Sequence, residues 1–95
     1  MNSPLSADAI TENLESLDGW THRNDVIAKT FRFRDYHETM AFVNATAWIS
    51  HREDHHPDLV VGYNECVVTY TTHSAGGLTG RDFACAAKID ALFAH

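Results

Sequence analysis

The chain has 95 residues, 44% of them hydrophobic, and a formal net charge of −6, as expected for one ordinary globular domain. Its seven lysines and arginines form no basic stripe, which disfavours direct nucleic-acid binding because phosphates require clustered cations. No window approaches the roughly 20 apolar residues of a membrane helix, and the N-terminus carries no secretion signal. We therefore predict a single domain over residues 1–95, in the cytoplasm and away from the membrane.

The two cysteines, Cys66 and Cys85, lie far apart and fit no Cys-x-x-Cys pattern. They predict small buried side chains in a reducing compartment rather than a disulfide framework. A chain this short buries one core with little surplus stability, so association into homodimers or homotetramers is also expected.

The first third of the chain predicts a helix and then a β-hairpin. Ser6 is a favourable N-cap, and Gly19 marks the end of the helix. Between them, apolar residues recur at the i, i+4, i+7 spacing of an amphipathic helix: Ile10, Leu14 and Leu17. Strands are predicted over residues 20–23 and 26–33, joined by an Asn-Asp turn.

A second helix is predicted to begin at a capping-box pattern, Asp35 followed by Glu38, and to continue to about Glu53. Its predicted apolar stripe consists of four residues: Tyr36, Met40, Val43 and Ala47. Pro57 forbids further helix and biases the residue before it towards extended backbone. The second helix must therefore stop before the proline.

The last third of the chain predicts a second hairpin and a third helix. The β-branched and aromatic runs LVVGY and CVVTYTT form the hairpin strands, and SAGGL predicts a flexible loop. The third helix begins at Thr79, with Asp82 at its N3 position. Its predicted apolar seam is Cys85, Ile89 and Leu92. The order α-β-β-α-β-β-α predicts an α+β fold, a four-stranded antiparallel sheet with three helices packed on one face.

Four of the seven histidines fall within the stretch from Ser50 to Asp82. His55 and His56 lie where the second helix stops and the third strand begins, and His73 lies where the fourth strand ends. Antiparallel neighbours bring these two chain segments to one edge of the sheet. Near neutral pH a pair of imidazoles supplies one protonated and one neutral member, which suits the elimination of water. The spacing alone thus indicates an acid–base site.

A zinc site is the alternative that the histidines raise, and their spacing disfavours it. Adjacent residues in extended chain point to opposite sides, so His55 and His56 are poor partners for one ion. His51 and His55 have an i, i+4 spacing, but no cysteine or carboxylate pattern completes a site. The histidines predicted to be exposed without a role are His22, His37 and His95.

The stretch DHHPDLVVGYNECVVTYTTHSAGGLTGRD closely resembles the pterin-4a-carbinolamine dehydratase family. The family's hallmark is His-His-Pro, a hairpin, Thr-His and a short loop to Arg-Asp, and this combination at this spacing is specific. The similarity extends upstream through LDGW and FRFRDYHETMAFVNATA and covers nearly the whole chain. It implies the same α+β fold and the conversion of 4a-hydroxytetrahydrobiopterin to quinonoid dihydrobiopterin and water.

The resemblance also implies what the protein works with. The pterin is the substrate, no cofactor or metal is expected, and the reaction recycles the cofactor of aromatic amino acid hydroxylases. A non-catalytic role is the alternative, because some relatives act as dimerisation cofactors of a transcription factor or as assembly factors. The complete set of histidines favours the enzyme, since a pure binding module need not keep them.

By position, three histidines match the family's active-site residues: His55, His56 and His73. The resemblance implies that His56 and His73 divide the general base and general acid roles. His55 would then hold and polarise the 4a-hydroxyl group. Pro57 would fix the backbone that aims the adjacent pair, which is compatible with its plainer role of ending the helix.

Further residues are candidates for supporting roles by the same resemblance. Asp54 and Asp82 could orient an imidazole, although a helix-capping role explains Asp82 equally well. Trp20 could lie against the flat pterin ring, with plain core packing as the alternative. Thr72 and Ser74 are candidate polar contacts, for which ordinary strand and loop roles are favoured.

The sequence departs from the family pattern at one position. Many relatives have a glutamate three residues before the aspartate that precedes the histidine pair. This chain has His51 there, and Glu53 lies two residues later. If that glutamate assists proton transfer, His51 must substitute for it or the activity is reduced.

Overall fold

The computed structural model of the protein describes residues 3–93. Within them, α-helices and β-strands follow one another in the predicted order, α-β-β-α-β-β-α. The bounds are α1 Ala7–Leu14, β1 Thr21–Arg23, β2 Val26–Arg32, α2 Tyr36–Glu53, β3 Asp58–Val61, β4 Glu65–Tyr70 and α3 Gly80–Asp90. Two short 3-10 turns, His73–Ala75 and Ala91–Phe93, flank α3. The predicted fold class is confirmed.

The four strands form one antiparallel sheet in the order β1-β2-β4-β3. Alternate residues of the two central strands face the helices. On that face Ile27 lies opposite Tyr70, and Phe31 lies opposite Cys66. These side chains are at most 5% exposed. The core therefore lies between one face of the sheet and the three helices that cover it, as predicted.

Helix α1 ends earlier than the sequence predicts. The hydroxyl of Ser6 accepts a hydrogen bond from the amide of Ala9 at 3.2 Å, which confirms the N-cap, but the helix stops at Leu14. Leu17 is buried although it lies in the turn beyond the helix. The apolar spacing thus identifies residues that face the core, while it places the end of the helix too late.

The predicted apolar stripe of α2 is wrong at both ends, because Tyr36 is 52% exposed and Ala47 is exposed as well. The residues that α2 buries are Thr39, Phe42 and Thr46. The hydroxyls of Thr39 and Thr46 donate to backbone carbonyls four and three residues earlier, at 2.9 and 2.7 Å. A threonine satisfied in this way can face the core, and a count of purely apolar residues overlooks it.

Both predicted helix starts carry the expected caps, with one difference in detail. Thr79 and Asp82 form a complete capping box at the start of α3. Asp35 caps α2 by accepting from the amide of Glu38 at 3.0 Å. The carboxylate of Glu38 accepts from the amide of Arg34, at 2.8 Å, rather than from that of Asp35. The side chain of Glu38 therefore bonds to the amide of the residue before the N-cap rather than to that of the N-cap itself.

The end of α3 and the loop before it differ from the prediction. Cys85 and Ile89 of the predicted seam are buried, but its third member, Leu92, is 36% exposed and lies beyond the helix, so the predicted seam is wrong at that residue. The SAGGL segment contains the end of the 3-10 turn His73–Ala75, so part of this loop has regular structure.

Two sequence predictions concern the surroundings of the chain. Cys66 and Cys85 are buried and free, as predicted, and burial raises the pKa of each thiol. Among the helices within residues 3–93, none is long and apolar enough to cross a bilayer. The cytoplasmic location and the extent of the single domain stay predictions.

Candidate active site

A cleft lies at the edge of the sheet where β3 begins and β4 ends. The two strands pair with Asp58 opposite Thr69, so residues before β3 lie beside residues after β4. The cleft has a volume of about 230 Å³. Six of the predicted site residues line it: Asp54, His55, His56, Thr72, His73 and Ser74. The antiparallel pairing thus brings three imidazoles from two chain segments to one cleft.

The backbone turn after α2 aims the first two histidines. Asp54 ends the helix in a left-handed conformation with φ 52°, which aspartate tolerates better than most residues because its short polar side chain bonds locally. The amides of Asp54 and His55 bond back to carbonyls of the last helical turn, at 3.4 and 3.2 Å. Pro57 then keeps the chain extended into β3. His55 and His56 therefore lie on a short segment fixed at both ends.

His55 is held by two contacts. Its side chain is 10% exposed, and its Nε2 atom lies 2.6 Å from Oδ1 of Asp82. Its ring stacks on that of Tyr70, with the centroids 5.6 Å apart and the planes 18° apart. Because a carboxylate oxygen accepts hydrogen bonds, Nε2 of His55 is the donor in this contact.

Asp82 is fully buried and joins the histidine to the start of α3. Its Oδ2 atom accepts from the hydroxyl of Thr72 at 2.8 Å and from the amide of Thr79 at 2.9 Å. The two threonine hydroxyls are 2.9 Å apart, and Thr79 must be the donor because Thr72 has given its only hydrogen to Asp82. One carboxylate thus caps α3 and holds His55, so its two predicted roles coexist.

His56 and His73 differ from His55 because both are exposed at the cleft. Neither ring makes a hydrogen bond within residues 3–93, so both can exchange protons with a bound molecule. Ser74 follows His73 in the 3-10 turn and is exposed beside it. The cleft therefore combines one fixed imidazole with two accessible ones.

His51 lies in a neighbouring hollow of about 370 Å³ rather than in the cleft itself. The hollow shares Asp54, His55 and His56 with the cleft, and the ring of His51 stacks on exposed Trp48 at 6.3 Å and 30°. No hydrogen bond joins the carboxylate of Asp54 to an imidazole in the described part of the chain. The predicted orienting role of Asp54 therefore has no side-chain contact behind it.

Trp20 lies in the core and lines neither hollow. It is 5% exposed, and its Nε1 atom donates to Oδ2 of Asp90 at 2.9 Å. Its ring lies 6.3 Å from that of Tyr70, which in turn separates it from His55. The core-packing alternative describes Trp20 better than contact with a flat substrate.

Sequence reasoning missed three residues that build the site. Arg81 lines the cleft, Thr79 completes the hydroxyl chain, and Tyr70 lies behind His55. The hydroxyl of Tyr70 is buried without a well-formed hydrogen bond among the described residues. Burial, and then the nearby thiol of Cys85, raise the pKa of Tyr70 well above its ordinary range. Only the inward-facing position of Tyr70 on its strand could have indicated it.

Metal binding finds no support in the positions of these side chains. Across residues 3–93, no three His, Cys, Asp or Glu side chains are arranged to hold an ion. His22 and His37 are exposed, and Nε2 of His22 lies 2.6 Å from the carbonyl oxygen of Asn24. His95 lies outside the described residues.

The fold and the cleft together define a class: a small α+β domain whose antiparallel sheet presents a histidine-lined cleft at one edge. Sequence comparison identifies the protein family. The chain belongs to the pterin 4 alpha carbinolamine dehydratase family, whose sequence model matches residues 3–92. The resemblance inferred from the His-His-Pro, Thr-His and Arg-Asp pattern is confirmed.

Two bacterial relatives illustrate how close the similarity is. A protein of Nitrosospira multiformis is 62% identical over 90 residues, which cover 95% of this chain and 80% of the relative. A protein of Chromobacterium violaceum is 55% identical over 91 residues, covering 96% of this chain and 84% of the relative. Both are provisionally named pterin-4-alpha-carbinolamine dehydratases.

Two solved structures share the fold. A transcriptional coactivator/pterin dehydratase from Brucella melitensis superposes with a TM-score of 0.91 at 33% identity, covering 95% of this chain and 98% of the other. A pterin dehydratase-like protein, identified as a RuBisCO assembly factor in the alpha-carboxysome, matches with a TM-score of 0.65 at 28% identity. That match covers 79% of this chain and 87% of the other.

Proposed function

We propose that the protein is a dehydratase that converts 4a-hydroxytetrahydrobiopterin to quinonoid dihydrobiopterin and water in the histidine-lined cleft. Membership of the family supports the pterin as substrate. The observation that carries the mechanism is the presence of one fixed and two accessible imidazoles around a single cleft.

The reaction needs one proton removed and one proton added. A general base takes the proton from N5 of the pterin, and its electron pair forms the C4a=N5 double bond. The C4a–O bond breaks as a general acid protonates the departing hydroxide, so water leaves and no electrons are gained or lost. His56 and His73 are exposed at the cleft and divide these two duties, which near-neutral imidazoles perform well.

His55 serves a different purpose in this proposal. Its Nε2 atom is committed to Asp82, so it meets a substrate only through the rest of its ring. A fixed imidazole can hold and polarise the 4a-hydroxyl while the two accessible histidines exchange protons. Proton transfers alone balance the reaction, so the proposal requires neither a metal nor a prosthetic group.

The proposal extends to the cellular setting. The product would return a pterin to the cofactor cycle of aromatic amino acid hydroxylases, and we propose that the protein works in the cytoplasm alongside such an enzyme. We also propose a homodimer or homotetramer as the working form, because a chain of this size gains stability by association.

The decisive experiment measures dehydration of a synthetic 4a-hydroxypterin by stopped-flow absorbance. Replacing His56 or His73 with Ala should slow the reaction by about 10²-fold or more, the typical contribution of a general acid or base. His37→Ala is the matched control, since that histidine is exposed on α2 and lines neither hollow. Rates equal to that of the wild type in both cleft variants would refute the assignment.

A non-catalytic binding or assembly role is the second candidate. It is favoured by the structural match to a pterin dehydratase-like protein that serves as a RuBisCO assembly factor. Such a role does not depend on proton transfer. A wild-type protein that leaves the carbinolamine unchanged at every concentration tested would favour this role over the dehydratase.

A further inference from the structure

Arg81 lies in the lining of the cleft, yet its observed bonds are to backbone rather than to another cleft side chain. We propose that Arg81 is a positioning residue for the dehydration, fixing the turn that aims His55 and His56. This inference rests on the proposed function and adds a residue that acts through the histidines rather than on the pterin.

The guanidinium group bonds to the end of α2. Its Nη2 atom donates to the carbonyl of Asp54 at 2.6 Å and approaches that of Glu53 at 3.3 Å. The last carbonyls of a helix lack partners within the helix, so an outside donor stabilises them. The carbonyl of Asp54 belongs to the peptide that joins it to His55, so this bond restrains the orientation of the peptide entering the histidine pair.

The backbone at Asp54 needs such a restraint. Its φ of 52° lies in the left-handed region, which disfavours residues other than glycine, although aspartate tolerates it better than most. A conformation of this kind persists when the surroundings determine it. The short hydrogen bond from Arg81 is one such restraint. The hydrogen bond from the His55 amide to the carbonyl of Ser50, at 3.2 Å, is another.

The charge of Arg81 is also better explained by α2 than by its own helix. Arg81 is in the first turn of α3, where the helix dipole disfavours a cation and favours the neighbouring Asp82. Its side chain reaches the C-terminus of α2, where the dipole favours a positive charge. The position of the guanidinium group is therefore explained by its contact with the end of α2 rather than by its place in α3.

Two consecutive residues of α3 thus hold two consecutive residues of the turn. Arg81 binds the backbone of Asp54, and Asp82 binds the ring of His55. His56 has no side-chain hydrogen bond within residues 3–93, so its direction depends on backbone restrained at Asp54. Loss of Arg81 should therefore loosen His56 more than His55, which keeps its bond to Asp82.

The kinetic test compares Arg81→Ala and Arg81→Lys with Arg52→Ala, which removes an exposed cation from the same end of α2. Arg81→Ala should lower kcat by about 10-fold to 100-fold with little change in KM, because misplaced catalytic groups slow the chemical step. Arg81→Lys should recover part of the rate, and guanidinium at non-denaturing concentrations should rescue Arg81→Ala. Arg52→Ala should keep the wild-type kcat.

The second measurement is hydrogen exchange at the amide of His55, which bonds to the carbonyl of Ser50, followed by NMR in the same variants. Faster exchange in Arg81→Ala than in Arg52→Ala supports the restraint and needs no enzymatic activity. Unchanged kcat, or a raised KM with unchanged kcat, overturns the positioning role, since the latter outcome indicates direct substrate binding. A wild-type protein without dehydration activity overturns the proposed function, while unchanged exchange in an active enzyme overturns this inference alone.

Discussion

Helix α3 carries an aspartate near each end, and the two make an instructive comparison. Asp82, in the first turn, binds a histidine and a threonine beside the cleft. Asp90, the last residue, accepts from Nε1 of Trp20 and Nζ of Lys29, both at 2.9 Å. Each carboxylate therefore joins α3 to side chains from other elements, with both of its oxygens occupied.

The difference lies in the partners and in their surroundings. The side chain of Asp82 has no exposure, whereas that of Asp90 is 24% exposed. The cleft-side partner of Asp82 is an imidazole, whereas the side-chain partners of Asp90 are an indole N–H and an ammonium group. Lys29 also lies over the ring of Phe31, 4.9 Å from its centroid. Similar bonding thus holds a cleft-lining histidine at one end of the helix and joins the helix to the core at the other.

The largest expected effect is on stability. Asp82→Ala leaves a buried amide, a hydroxyl and an imidazole without their acceptor, and should lower the free energy of unfolding by about 3–5 kcal/mol. Asp90→Ala should cost only about 1–2 kcal/mol, because water can reach its former partners. Urea unfolding of the two variants measures both values, and equal losses would remove the distinction between the two ends.

The second effect concerns the rate of the proposed reaction. It is tested with Asn in place of Asp, because Asn is closer to Asp in size than Ala is. Asp82→Asn keeps the size of the side chain but weakens its hold on His55, and should reduce the dehydration rate by about 10- to 100-fold. Asp90→Asn is the matched control and should keep the wild-type rate. A rate loss in the Asp90 variant comparable to that in the Asp82 variant would mean that the rate reports only general damage to α3.

The smallest expected effect on stability concerns the tyrosine ring that stacks on His55. Tyr70→Phe removes a buried hydroxyl that lacks a well-formed hydrogen bond, and should change the unfolding free energy by less than about 1 kcal/mol at neutral pH. A loss above about 2 kcal/mol would contradict this and reveal a bond to a neighbour such as Ser50.

The same variant tests the raised pKa of Tyr70. The ordinary pKa of a tyrosine is 10.0. Above that pH the phenol ionises in the unfolded chain, whereas the folded protein keeps it protonated because the pKa of Tyr70 is raised. The unfolded state then binds fewer protons, so the stability that Tyr70 contributes is present below that pH and declines as pH rises above it. Urea unfolding near neutral pH and again above the ordinary tyrosine value should show a steeper decline in the wild type than in Tyr70→Phe. The buried thiol of Cys66, whose pKa is raised by burial alone, affects both proteins alike and cancels in the difference.

The sequence predicts those features that periodicity and turn residues encode. Alternating strands, the Ser6 and Thr79 caps and the stop at Pro57 are local signals, so the element order follows from them. Antiparallel pairing then places His55 near His73 without further information. The fold class and the meeting of the histidines at one edge were therefore accessible from sequence.

Contacts between distant side chains and backbone leave no such signal. Arg81 bonds to carbonyls on another helix, and nothing in the spacing of charges indicates an arginine whose partner is backbone. Thr39 and Thr46 are counted as surface residues until their hydroxyls are seen bonded within α2. Trp20 is large and amphipathic, so sequence alone leaves a core position as a close alternative to the cleft until Asp90 is found beside its indole.

The capping box of α3 ties the proposed activity to a single helical turn. Helix ends open locally far more often than cores do. If the turn that begins at Thr79 unwinds, Asp82 loses its amide partner and its grip on His55 at the same moment, while Ile27, Val68 and Ile89 stay packed. Opening of that one helical turn would therefore disable the proposed cleft while the core stays packed, and a global measure of folding would not register the loss.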